Sequence, residues 1–115
     1  MQFAVGVIGV GNMGAALVRG IIDQGTMTPQ SVIVCDLDQD IVGRICDDLG
    51  VVDGTEATHV AGSADLVVLA AKPQNLTSLL REISPSISSN QTIMSIAAGV
   101  TTQSIEESLG GRPSV

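Results

Sequence analysis

The stretch from Phe3 to Gly14 constrains the fold more than any other. A largely apolar run of strand length, Phe3 to Ile8, leads directly into Gly9-x-Gly11-x-x-Gly14, and a helical pattern follows at once. Gly9 permits a tight turn off the strand. Gly11 has no Cβ, so its backbone is open to close approach. Gly14 lets the following helix lie against the sheet. A helix that starts here aims its unpaired N–H groups and partial positive charge at whatever sits above the turn. In that setting the spacing is the fingerprint of a turn that cradles the pyrophosphate of a dinucleotide.

The rest of the chain alternates strands and helices. Met13, Ala16, Leu17, Gly20 and Ile21 repeat at helical spacing to about Gln24, with Gly20 expected to approach the sheet closely and Gly25 to end the helix. Ser31 to Cys35 reads as the second strand and Asp40 to Leu49 as the next helix, with Ile41, Ile45 and Leu49 on one face. A short strand at Val51 to Asp53 and a short helix near Thr58 to Gly62 follow. Asp65 to Ala71 is a continuous apolar strand, stopped by Lys72-Pro73. Leu76, Leu79, Leu80 and Ile83 mark a helix, Gln91 to Ala97 the next strand, and Thr101 or Thr102 the cap of a last helix to about Leu109. Ser114-Val115 resembles the start of a further strand.

This alternation predicts an α/β fold, a doubly wound parallel sheet of the Rossmann type in strand order 3-2-1-4-5. Ligands of such sheets bind beyond the carboxyl ends of the strands. Four separate segments should meet there: Gly9 to Met13, Asp36, Ala71 to Pro73 and Ala97 to Gly99. Asp36 closes the second strand, 22 residues after Gly14. An acidic side chain at about that spacing can accept hydrogen bonds from adenosine ribose hydroxyls. A helix cap or a solvated loop carboxylate is the plainer alternative.

Charge and composition narrow the partners. The net charge is −7, and the five basic residues, Arg19, Arg44, Lys72, Arg81 and Arg112, are scattered. Nucleic acid and anionic membrane are therefore poor partners, and a pyrophosphate would be held by backbone amides. With one Phe and no Tyr or Trp, adenine would lie between aliphatic groups. No apolar run reaches the roughly 18 residues of a membrane helix. Cys35 and Cys46 lack metal-ligand spacing and read as buried free thiols of a cytoplasmic protein. Asp36-Leu-Asp38-Gln-Asp40 opens like a calcium loop, but Ile41 replaces its turn glycine and Asp47 its bidentate Glu. No metal site is expected, and His59, the sole histidine, reads as a surface residue.

Three motifs together, Ile8-Gly-Val-Gly-Asn-Met-Gly14, Leu69-Ala-Ala-Lys-Pro-Gln74 and Ser95-Ile-Ala-Ala-Gly-Val100, make the chain resemble the N-terminal half of pyrroline-5-carboxylate reductase. That family reduces the C=N bond of 1-pyrroline-5-carboxylate to give proline, using NADPH or NADH. The resemblance covers essentially all 115 residues. It implies that Ile8, Gly9, Val10, Gly11, Asn12 and Met13 wrap the pyrophosphate, with Ala70, Ala71, Lys72 and Pro73 beside the nicotinamide. The residues themselves hold no nucleophile–base–orienter set, so no catalytic acid or base is assigned in this chain.

The chain departs from the family in three ways. The family often carries a short polar residue, or a polar residue followed by Arg, at the end of the second strand, where a 2′-phosphate is accommodated. Here stand Asp36, Leu37 and Asp38 with no basic residue beside them, so the expected cofactor preference is NADH over NADPH. Ala57 falls where the family often has an Asn after the third strand. The family's helical C-terminal domain, which supplies dimerisation and much of the substrate site, is not in these residues. Residues 1–115 are thus expected to be the cofactor domain of a longer, homo-oligomeric enzyme and inactive alone. A related hydroxyacid dehydrogenase domain, a coenzyme F420-dependent NADP reductase and a nucleotide-sensing module without catalysis are the alternatives.

Overall fold

β-Branched residues dominate the strands, which pair in parallel to build the sheet. The computed structural model describes residues 2–96. Its strands are β1 (Phe3–Ile8), β2 (Val32–Cys35), β3 (Val52–Asp53), β4 (Ala64–Leu69) and β5 (Thr92–Ser95), in the order β3-β2-β1-β4-β5. This is the order the sequence predicts. β1 is central, with Val7 opposite Val34 on one side and Val68 on the other.

Both faces of the sheet are buried, as an all-parallel sheet requires. Alternation along β2 shows how. Val32 and Val34 join one core layer with Val18, Val42 and Ile45, whereas Ile33 and Cys35 join the other with Leu76 and Ile83. The first layer is covered by α1 (Asn12–Asp23) and α2 (Gln39–Leu49), the second by α3 (Ala57–Ser63) and α4 (Pro73–Ile83).

Several local expectations need correction. The buried face of α1 is Gly14 and Val18, flanked by half-buried Leu17 and Ile21, while Met13, Ala16 and Gly20 are exposed. Gly20 makes no close approach, since a Cβ there would meet nothing within 4 Å. Gly14 makes it instead, and this sets the rotation of the whole helix. α1 closes with paired bonds from Gly25 N–H to Ile22 O (3.0 Å) and Thr26 N–H to Ile21 O (3.2 Å). Gly25, at φ +69°, supplies the left-handed residue that this closure needs.

β4 ends at Leu69, two residues earlier than its apolar run suggests, and β5 is confined to Thr92–Ser95. α4 begins at Pro73, three residues before its first buried leucine. Proline is well placed there, because the first helical N–H has no partner in any case. The stripe of Leu76, Leu79, Leu80 and Ile83 is buried as expected. α2 starts at Gln39, with Ile45 and Val42 innermost and Ile41 and Leu49 half-buried beside them.

Gln91 was not foreseen in the core, yet it is 1% exposed. Its Nε2 donates to the carbonyls of Ala61 and Ala64, and its Oε1 accepts from the Ser88 N–H at 2.7 Å. The side chain thereby ties the end of α3 to the entry of β5. The predicted segments Ala97 to Gly99, Thr101 to Leu109 and Ser114-Val115 lie outside the described residues.

Candidate functional site

The end of β1 is wedged between the ends of its two neighbours. Gly9 N–H donates to Cys35 O at 2.8 Å, and Ala70 N–H donates to Ile8 O at 2.9 Å. Gly9 has φ +99°, and a Cβ there would lie 2.9 Å from the carbonyl carbon and oxygen of Ala70. Gly14 sits directly beneath, where a Cβ would overlap the Gly9 carbonyl oxygen. Gly11 differs from both, because a Cβ there would meet nothing within 4 Å. Two of the three glycines are therefore required by packing, while the third faces open space.

Gly11 is also the N-cap residue of α1, extended at φ −69°, ψ −154°, with no side-chain cap bond and no acidic residue in the first turn. The first bond of the helix runs from Ala15 N–H to Gly11 O at 2.8 Å. The amides of Gly11, Asn12 and Met13 find no acceptor among the described residues. Exposed amides at a helix N-terminus, with no acidic residue in the first turn, suit an anionic group.

Asp36 reaches into this turn. Its Oδ2 accepts the Val10 N–H at 2.8 Å and its Oδ1 accepts the Asp38 N–H at 2.9 Å. It is not the helix cap of the plainer alternative; Asp38 caps α2, accepting from Asp40 N–H at 3.0 Å. The half-buried carboxylate is thus fixed beside Val10 by both of its oxygens. Leu37 follows at 94% exposure. Beneath, burial first and the Asp36 charge second push the Cys35 thiol up to about 12. It stays protonated and inert.

On the other side, Ala70 and Ala71 are half-buried and Lys72 is exposed and extended, at φ −63°, ψ 146°. Lys72 has no ion-pair partner among the described residues. The structure therefore brings the glycine turn, Asp36 and the Ala70–Lys72 segment to one edge, with Pro73 opening α4 just behind. His59 is exposed on α3.

The sequence reading missed one feature. A groove of about 490 Å³ runs from Val10, Gly11 and Asn12 along α1 to Arg19, and α2 closes it with Ile41 and Arg44. Two of the chain's five basic residues therefore share a groove with the glycine turn. Arg44 follows Ile41 by three positions, and that spacing on one helix face was the available signal.

Residues 4–99 match the family described as NADP oxidoreductase, coenzyme F420-dependent. The chain belongs to this family. Proteins named pyrroline-5-carboxylate reductase resemble the chain over nearly its whole length. That of Methanosarcina acetivorans is 34% identical over 105 residues, covering 91% of this chain and 39% of that protein. That of Escherichia coli is 36% identical over 110 residues, covering 96% and 41%. The solved structure of a pyrroline-5-carboxylate reductase from Coxiella burnetii superimposes with a TM-score of 0.86 at 31% identity, covering 96% of this chain and 41% of that one. The motif resemblance and these relatives agree. The chain spans about two fifths of the length of the proteins it matches. Among the described residues no helix is long and apolar enough to cross a membrane.

Proposed function

We propose that this chain is the NAD(P)H-binding domain of an imine reductase that converts 1-pyrroline-5-carboxylate to L-proline. The observation that carries the reading is the division of labour among the glycines. Gly9 and Gly14 are packed against protein, and Gly11 alone opens onto the uncapped N-terminus of α1. A pyrophosphate fits there because it would use the free amides of Gly11, Asn12 and Met13 and would meet no side chain at position 11. Names and coverage of the relatives supply the reaction class.

In this reading Ile8 to Met13 wrap the pyrophosphate, Asp36 accepts from the adenosine ribose hydroxyls, and Ala70 to Pro73 border the nicotinamide. The bound cofactor would supply the hydride that reduces the C=N bond. The chain's part is to hold the cofactor in one orientation, which hydride transfer demands. Substrate contacts and the contacts between subunits of a homo-oligomer would come from the remaining length of such an enzyme, acting in the cytoplasm where free thiols persist.

Asp36 is the basis for favouring NADH over NADPH. Its carboxylate is pinned by two backbone N–H groups, so it cannot swing away from a 2′-phosphate. Two anions held a few ångströms apart repel by about 1–4 kcal/mol at a protein surface.

A chimera tests the reading. Replacing the matching part of the Escherichia coli relative with this chain should give pyrroline-carboxylate-dependent oxidation of NADH, whereas the 115 residues alone should bind the nucleotide without turnover. A folded chimera that binds NADH yet never oxidises it with pyrroline carboxylate would rule the substrate out. The family description supports a second reading, hydride exchange with coenzyme F420, and reduced F420 in the same assay separates the two.

A further inference from the structure

The groove between α1 and α2 explains more than the pyrophosphate site requires. It shares Val10, Gly11 and Asn12 with that site, but neither Asp36 nor Lys72 lines it. Its walls are aliphatic, from Ala15, Ala16, Ile41 and Ile45, and its charges are Arg19 and Arg44. The two arginines are not equivalent. Arg19 is held by Asp48, Nη2 to Oδ2 at 3.1 Å. Arg44 has no hydrogen-bond or ion-pair partner among the described residues, even though Asp40 lies one turn before it on α2. In a chain of net charge −7, a guanidinium with no partner among the described residues, lining the same groove as the glycine turn, is out of keeping with its surroundings.

Building on the proposed cofactor role, we infer that Arg44 is a specificity-determining residue that receives the 2′-phosphate of NADPH in this groove and so keeps NADPH usable despite Asp36. The position follows from connectivity. Val10 N–H is bonded to Asp36 Oδ2, so a ribose on Asp36 stands at Val10, which also lines the groove. A substituent on that ribose can leave Asp36 only outward to solvent or sideways into the groove. Sideways, it meets a planar, permanently charged fork suited to a phosphate monoester. Asp36 then repels the phosphate and Arg44 attracts it, and the balance of the two sets the cofactor ratio. Arg19, neutralised by Asp48, contributes less.

The test is a paired titration of NADH and NADPH with the chain and its Arg44→Gln and Arg44→Lys variants, with 2′-AMP and 5′-AMP as fragment probes. Arg44 is exposed, so melting temperatures should stay together. Arg44→Gln should weaken NADPH and 2′-AMP by about five- to tenfold, with NADH and 5′-AMP unchanged within about twofold. Arg44→Lys should recover part of the loss. Equal weakening of all four ligands would reduce Arg44 to a general electrostatic effect and overturn the inference. So would unchanged NADPH binding, or inorganic phosphate competing with 2′-AMP but not with NADPH. Each of these leaves NADH binding, and with it the cofactor role, standing. If the unsubstituted chain binds neither nucleotide, the cofactor role itself falls and the inference with it.

Discussion

The N–H of Val10 donates a 2.8 Å hydrogen bond to Oδ2 of Asp36, joining the glycine turn to the tip of β2 across 26 positions of sequence. The same carboxylate accepts the Asp38 N–H through Oδ1. One side chain therefore ties the turn to the entry of α2 and places a negative charge beside Val10, where the proposed cofactor role sets the ribose.

Substituting Asp36 should separate these roles. Asp36→Asn removes the charge and keeps one of the two acceptors, turning an NH2 toward the other backbone N–H, so the ratio of NADPH to NADH affinity should rise by roughly tenfold at an intermediate cost in stability. Asp36→Ala removes both acceptors and should cost about 1–3 kcal/mol. Paired nucleotide titrations and urea melts on both variants check this.

The glycines should sort by what surrounds them. Gly14→Ala places a methyl group on the Gly9 carbonyl oxygen and should cost about 3 kcal/mol or fail to fold. Gly20→Ala and Gly43→Ala sit on open helix surface and should each stabilise by roughly 0.5–1 kcal/mol. Thermal melts of the three variants distinguish packing from conformational entropy.

The overall fold was legible because its signals were strong. Continuous apolar strands and the strand-glycine-helix junction define a parallel sheet and its edge. The rotation of α1 was not legible. Met13, Ala16, Leu17, Gly20 and Ile21 made as good a stripe as the buried one, because alanine and glycine carry almost no hydrophobic signal. The deciding contact, Gly14 under Gly9, involves no side chain at all. Gln91 was hidden for a different reason: a glutamine beside Ser88 to Asn90 reads as turn, and only the structure reveals two orphan carbonyls beneath it. The Arg44 groove needed two helices to be placed side by side.

Gln91 therefore carries its own expectation. Gln91→Leu should fill the space yet strand the carbonyls of Ala61 and Ala64, and lose the bond from the Ser88 N–H. A cost of about 2–4 kcal/mol follows from burying unpaired polar groups. Denaturant unfolding measures it, and Gln91→Glu should be no milder, since it replaces the donor with a buried charge.

Alkaline pH should loosen the fold through its thiols. Burial, then the nearby Asp36, raises Cys35 from 9.0 to about 12, and burial also raises Cys46. Below about pH 9 both folded and unfolded chains keep the Cys35 proton. Between about 9 and 12 only the unfolded chain gives it up, so stability falls as pH rises through that window. The chain has no Tyr and a single Lys, so few other groups titrate there. Urea melts at pH 8 and pH 10.5 should differ for the parent and converge for a Cys35→Ala, Cys46→Ala double variant.

The central claim rests on Gly11, the one glycine of the turn with open space beside it and a backbone conformation that alanine also adopts. Calorimetric titration of NADH into the parent chain and into Gly11→Ala is its most direct test. The account predicts one saturable site in the parent and at least about tenfold weaker binding in the variant, with melting temperatures unchanged. NADH binding equally well to both proteins, or to neither, would contradict it.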